Sequence, residues 1–348
     1  MRELSTYAFI NAKIRAMLSF LISQEVFLKM IDAQDIYDAA ELLKGYPHYK
    51  EIVECVVKGR PDYSLFEKQF IKNDLNAYKN IYKSLPAKIE RKLIEDFIEK
   101  YEVEQLKTAL RIWHKKVPVA ISDYILEERI SFAIDYKKII YAPNIEEIIF
   151  LLDDTPYRKP ILNAREKFKK EGSVFYLEAC LDADYYSRLV SDISLLSGRD
   201  MEIAKKIIGI QIDNQNINWL IKMRKYYNLP AGEMLEWVIS GGNRIDKDNI
   251  AKFYTINGLG NIAESVALGP YLRIKDLIEE NISLIENFLH EVLIKEVKKA
   301  LSGYPFTIGT VLSYMILKNS ETRNVVSLLY AKKLGISKEE LMSLVKTI

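Results

Sequence analysis

The chain has 348 residues, 49% of them apolar and 28% charged, with 50 lysines and arginines against 48 aspartates and glutamates. That balance belongs to an ordinary soluble globular protein long enough for two or three domains. A net charge of +2 offers no basic field for nucleic acid or anionic lipid, and no apolar run reaches the roughly 18 residues of a membrane span.

Near the start, a polar Ser5-Thr6-Tyr7 stands where a signal peptide would carry its apolar core, so a cytoplasmic product is expected. Residues 7–30 place Ile10, Ile14, Met17, Leu18 and Leu21 at helical spacing. Asp35 to Leu43 reads as a short apolar helix that stops at Pro47 and Tyr49. After Gly59-Arg60-Pro61, two long helices are predicted over 64–84 and 87–115, split at Leu85-Pro86. Beyond Val117-Pro118, a second short apolar helix, Asn144 to Leu152, stops at Pro156-Tyr157. A long helical pattern covers 176–208, and another runs through Asp213 to Arg224-Lys225 before Asn228-Leu229-Pro230. Gly241-Gly242 breaks the chain, and a weaker short pattern from Gly258 stops at Pro270-Tyr271. Residues 276–300 read as helix. After Gly303-Tyr304-Pro305, a helix carrying Val325, Leu328 and Leu329 runs into Lys332-Lys333 and stops at Gly335. Ser337-Lys338-Glu339-Glu340 then opens a final helix as a capping box. Runs of β-branched alternation bounded by turn pairs are missing, so the expected class is all-α.

Two patterns recur. The first is the short apolar helix with its proline–tyrosine stop, at Pro47/Tyr49, Pro156-Tyr157 and Pro270-Tyr271. The second is an acidic residue, an amide three positions later, an apolar run and a basic cluster: Glu102…Gln105…Lys116, Asp213…Asn216…Lys225 and Glu321…Asn324…Lys333. Both return after about 110 residues, far beyond the 20–47 of a solenoid repeat. The expectation is three similar helical-bundle modules, 1–128, 129–240 and 241–348, with approximate threefold pseudosymmetry. The acidic residue of each copy is expected at or near a helix N-terminus, pairing with free N–H groups, and chiefly in a folding role.

Reaction chemistry is hard to find. A phosphate-cradling loop is missing, and Gly258-Leu259-Gly260-Asn261-Ile262-Ala263 lacks the strand a dinucleotide fingerprint needs. His290-Glu291 begins a zinc motif that Ile294 leaves incomplete, and His48, His114 and His290 do not cluster. Asp153-Asp154 and Asp182…Asp184 are similar to the acidic motifs of helical prenyl-transfer enzymes but lack the further carboxylates that hold Mg²⁺. No catalytic set, cofactor or metal site is expected. Cys55 and Cys180 read as reduced and buried. The 22 tyrosines suit surfaces partly covered by partners, although a Lys/Ile/Tyr-rich genome gives the same count.

Several segments together resemble one family. They are Tyr304-Pro305-Phe306-Thr307-Ile308-Gly309, Val311-Leu312-Ser313-Tyr314, Glu321-Thr322-Arg323-Asn324-Val325 and Lys332-Lys333-Leu334-Gly335. Asp213-Asn214-Gln215-Asn216-Ile217 running to Arg224, Ile239-Ser240-Gly241-Gly242 and the opening helix around Tyr7 to Ala16 add to them. From about residue 5 to 346 the chain resembles the C subunits of the V-type/A-type rotary ATPases (ATP synthases), which are related to the eukaryotic V-ATPase d subunits. It departs in Ser240, Gln105, Trp113 and Ile308-Gly309-Thr310.

The resemblance implies a non-catalytic central-stalk subunit with a funnel-like, three-module helical body. It would sit peripherally on the cytoplasmic face of the membrane, one copy per complex. Its partners would be the central-shaft subunits and the proteolipid rotor ring, without nucleic acid and without insertion into lipid. The family-motif positions are Glu102, Gln105, Asp213, Asn216, Arg224, Glu321, Arg323, Asn324, Lys332 and Lys333. Arg224, Lys332 and Lys333 would face carboxylates or helix C-termini where they meet a partner, and Arg323 is expected to pair internally with Glu321 or another acid. The competing readings are a soluble scaffold outside any rotary complex and an all-helical enzyme with a divalent metal between Asp154 and Asp182 or Asp184.

Overall fold

The computed structural model describes residues 2–58, 63–85, 88–116, 125–126, 128–223, 231–253, 264–278 and 282–344. The breaks expected at 59–61, 117–118 and 228–230, and the Gly258 segment, lie outside those residues. Every regular element among the described residues is helical.

The first helices are α1 (Arg2–Leu18), α2 (Gln24–Asp32), α3 (Ile36–Glu41) and α4 (Pro47–Lys58). The expected helix over 7–30 is therefore two. Ser23 adopts an extended backbone and its hydroxyl accepts the Val26 N–H, which starts α2 as a new helix. Asp35 caps α3 by accepting the N–H groups of Tyr37 and Asp38, so the first short helix starts where the sequence placed it. Pro47 opens α4 instead of only ending what precedes it; a first-turn position costs proline nothing, because its missing N–H would have no helical partner.

Two long helices follow, α5 (Tyr63–Ser84) and α6 (Lys88–Lys115), close to their predicted bounds. Then come α7 (Tyr136–Ile140), α8 (Ile145–Leu151), α9 (Arg158–Glu171), α10 (Phe175–Ile193) and α11 (Gly198–Lys222). Asn144 caps α8 through the Glu147 N–H. The pattern over 176–208 is broken at Ser197, whose extended backbone (φ −131°, ψ 158°) cannot continue a helix. The remaining elements are α12 (Ala231–Glu236), α13 (Lys247–Phe253), α14 (Ile274–Leu277), α15 (Ile282–Ser302), α16 (Ile308–Lys333) and α17 (Lys338–Leu344).

The α16 helix is the axis of the packing. It touches α1, α3, α5, α11, α15 and α17, and nearly every residue from Ile308 to Val325 is buried. A helix apolar nearly all round belongs inside a protein, not on its surface. Its first half lies in the main core with Ile10, Ile14, Leu106, Ile207 and Leu289. Its second half, Val325 to Ala331, lies in a smaller core with Phe27, Met30, Leu43, Tyr49 and Phe70. The smaller core thus joins the first 70 residues to the last helices. At the end of α16, Gly335 takes a left-handed conformation (φ 68°). The Ile336 and Gly335 N–H groups then bond back to Ala331 and Lys332, and the Ser337 hydroxyl accepts the Glu340 N–H to open α17. The stop at Gly335 and the cap at Ser337 fall where the sequence suggested.

Candidate functional site

Each of the three acidic positions is a buried knot. Glu102 lies in the middle of α6. One of its oxygens accepts the N–H groups of Ser131 (3.0 Å) and Phe132 (2.9 Å), and the other accepts the Tyr157 hydroxyl at 2.9 Å. Asp213 lies in the middle of α11. It accepts the N–H groups of Arg244 and Ile245 at 2.9 Å each and the Tyr271 hydroxyl at 2.9 Å. Glu321 lies in the middle of α16 and accepts the Ile22 N–H and the Tyr49 hydroxyl. None of the three sits at the start of its own helix, which corrects the sequence expectation. The N–H groups they hold belong to loops just ahead of α7, α13 and α2. The tyrosines are those of the proline–tyrosine pattern.

The amides continue the arrangement. Gln105 accepts the Leu126 N–H at 2.7 Å, and Asn216 both accepts from and donates to the Ile239 backbone at 2.9 Å. Asn324 is buried at the same offset from Glu321. A side-chain amide satisfies a buried loop peptide that would otherwise cost about 1–3 kcal/mol.

The loop over Asp213 explains Gly241-Gly242. A Cβ on Gly242 would stand 2.5 Å from both the Asp213 carboxylate and the Ile245 carbonyl, so only glycine lets the backbone close over the acid. Burial pushes the Asp213 carboxyl up to about 6, against the pull of the Ile245 and Arg244 N–H groups and the Tyr271 hydroxyl. Burial likewise raises Glu102 above the ordinary carboxylate range, and burial beside Glu102 and Asp213 raises the hydroxyls of Tyr157 and Tyr271.

The third knot is more highly charged. Lys318, 2% exposed, donates to Glu321 at 2.7 Å and also to Tyr49, and lies 3.9 Å from Asp74. Thr322 (2.9 Å) and Tyr101 (3.0 Å) donate to Asp74, and Asn319 donates to Tyr101. Burial pushes the Asp74 carboxyl up to about 7, with Lys318 opposing. The sequence reading missed Asp74 and Lys318; only their occurrence as charges within apolar helical runs hinted at them.

Arg323 does not pair with Glu321. It points away from the knot, is exposed, and makes no ion pair or hydrogen bond among the described residues. Two residues along a helix turn a side chain by more than half a circle, so 321 and 323 cannot share a face. Lys332 donates to the carbonyls of Ile31 (2.6 Å) and Ala33, the C-terminal end of α2, so its helix-end contact lies within the chain itself. Lys333 stacks over the Tyr330 ring at 5.8 Å. Arg224 lies outside the described residues.

The long helices α6, α11 and α16, with α15, enclose a cavity of about 510 Å³. Lys100, Asn214, Gln215, Asn218, Asn319 and Arg323 line it among others. Of the acids considered for a metal, Asp154 is exposed, while its neighbour Asp153 and both Asp182 and Asp184 are engaged elsewhere. Asp182 bonds Lys107 at 3.0 Å, Asp184 bonds Arg188 at 2.9 Å, and Asp153 bonds Arg158 at 2.7 Å. Among the described residues, three histidine, cysteine or acidic side chains nowhere gather as a metal would require. No described helix is long and apolar enough to cross a membrane.

The fold is thus an all-helical one built around carboxylate knots in the middle of long helices. A model of the ATP synthase (C/AC39) subunit family matches residues 10–344, and the chain belongs to that family. Among its relatives, the C subunit of the A-type ATP synthase of Archaeoglobus fulgidus is 24% identical over 97% of this chain and 95% of its own length. The protein of the same name from Methanocaldococcus jannaschii is 21% identical over 98% of this chain and 86% of its own. That of Thermococcus kodakarensis is 25% identical over 92% and 84%.

Proposed function

We propose that the chain is a non-catalytic central-stalk subunit of an A-type or V-type rotary ATPase. It acts as a socket that joins the central shaft to the proteolipid rotor ring and passes torque between them, for proton or sodium transport. It works as a single copy, peripheral on the cytoplasmic side of the membrane. Family membership supports the complex. The observation that carries the mechanical role is the order of the knots. Divided at 1–128, 129–240 and 241–348, each unit's acid is bonded by the next unit's tyrosine: Glu102 by Tyr157, Asp213 by Tyr271, and Glu321 by Tyr49 of the first unit. Three equivalent junctions that return to their starting point support a threefold, funnel-like body. A closed ring of buried polar ties resists shear better than an open row, because no terminal unit can swing away.

Pull-down of the tagged chain from detergent-solubilised membranes tests the reading. Catalytic-head and proteolipid subunits are expected to come with it. Recovery of the chain without either refutes the rotary assignment.

A further inference from the structure

The third junction differs from the other two. Its acid and tyrosine lie 272 residues apart, against 55 and 58 at the others, so it ties together the two ends of the chain. Lys318 stands three residues ahead of its acid, where the other copies have Glu99 and Ile210. It also holds a surplus acid. Asp74 and Glu321 are both fully buried and share the ammonium of Lys318, at 3.9 and 2.7 Å. With both carboxylates ionised, the interior keeps one unmatched negative charge; with one protonated, it is neutral. The other groups around Asp74 cannot cancel that charge. Thr322 and Tyr314 face it from α16 beside Glu321, Tyr101 from α6, Tyr78 from its own α5 and Tyr49 from α4. Burial raises each of these phenols above its ordinary range, so they stay neutral. Burial, then Lys318, holds the His48 imidazole of α4 low, so it is uncharged near neutral pH.

Asp74 is the acid suited to take the proton. Glu321 has the closer lysine and the Ile22 N–H, whereas the partners of Asp74 are the hydroxyls of Thr322 and Tyr101, which can turn to accept as well as donate. The cluster is covered by residues 22–53, which carry most of the smaller core. From them come the Tyr49 ring, 4.4 Å from the Lys318 amine, and the Ile22 N–H on Glu321. We propose that residues 22–53 form a proton-controlled clasp, closed on α16 while Asp74 is protonated and loosened when it ionises. Burial pushes the Asp74 carboxyl up to about 7 in the closed form, with Lys318, Thr322 and Tyr101 opposing; opened to water, it returns towards 3.8 and releases its proton. The proton's contribution to closure is therefore full below about pH 4 and lost as pH rises through about 7. Because this junction closes the ring of knots, that rise shifts the closed ring towards an open row.

Hydrogen exchange on the full chain tests the clasp, with opening constants measured for peptides within 22–53 and, as reference, within α9. No partner subunit is needed, so the result bears on the clasp and not on the rotary assignment. D74N keeps the shape and the neutrality of the protonated acid. His48 is common to both chains, so the ratio of wild type to D74N isolates Asp74. For a carboxyl that moves from 3.8 to about 7, that ratio should rise about fiftyfold between pH 5 and pH 7 and level off above pH 8. The α9 peptides should show no such rise. If D74N does not fold, wild type decides alone: its opening constant in 22–53 should rise about tenfold from pH 6 to pH 8, and a flat one overturns the clasp. A ratio constant within twofold also overturns it, as does a rise shared equally by α9, or a D74N chain more open than wild type at every pH.

Discussion

Tyr271→Phe tests whether the knots hold the fold energetically. Tyr271 and Asp213 are both fully buried, and the hydroxyl donates to the carboxylate at 2.9 Å. Removing it does not orphan the carboxylate, because the Arg244 and Ile245 N–H groups remain at 2.9 Å. The loss should therefore be that of one hydrogen bond to a charged group, about 1.5–3 kcal/mol, and not the larger cost of a stranded buried charge. Spread over the unfolding entropy of a chain this long, that is a fall of roughly 2–4 °C in Tm. The decisive assay is a double-mutant cycle with Asp213→Asn in urea. If the hydrogen bond carries the energy, the two losses overlap and leave a coupling of about 1 kcal/mol or more. Strict additivity of Y271F and D213N would refute the reasoning. Tyr157→Phe, acting on Glu102 at the same 2.9 Å, should give a similar loss.

Three further outcomes follow from the same geometry. Gly242→Ala should destabilise by about 3 kcal/mol or fail to fold, because its Cβ would overlap backbone as well as carboxylate. Gly45→Ala, with open space around it, should change Tm little. Glu321→Gln leaves Lys318 buried without its closest anion, so a loss of about 3–5 kcal/mol is expected in chemical unfolding. The folded Asp213 carboxyl titrates at about 6, above its ordinary 3.8. The folded state therefore holds a proton that the unfolded state has released between those values. Its contribution is full below about pH 4 and lost as pH rises through 6, a swing of up to about 3 kcal/mol. The stability of wild type minus that of D213N should fall across that window; a flat difference would contradict the assignment.

Much of this was legible in the sequence. The long helices α5 and α6, the caps Asp35 and Asn144 and the stop at Gly335 were all readable, because each depends on residues within one or two turns. The recurrence of Glu102, Asp213 and Glu321 was readable as well. Its meaning was not. A carboxylate three residues before an amide suggests a helix start, yet here the acid sits mid-helix and its donors come from a loop about 30 residues away, or nearly 300 in the case of Ile22. Local patterns cannot report such partners. The tyrosines were visible as turn markers, but a phenol's hydrogen-bond partner is fixed only by packing. The same applies to Arg323: helical geometry alone could have separated it from Glu321, whereas its place beside Lys100 needed the tertiary fold.

The smaller core has a consequence for how the protein is made. Phe27, Met30, Leu43 and Tyr49 emerge from the ribosome long before Val325, Leu328 and Glu321, which complete their surroundings. The amino-terminal helices must therefore wait, uncovered, until translation is nearly done. A nascent chain stalled ahead of α16 should leave them open to proteolysis and dependent on chaperones.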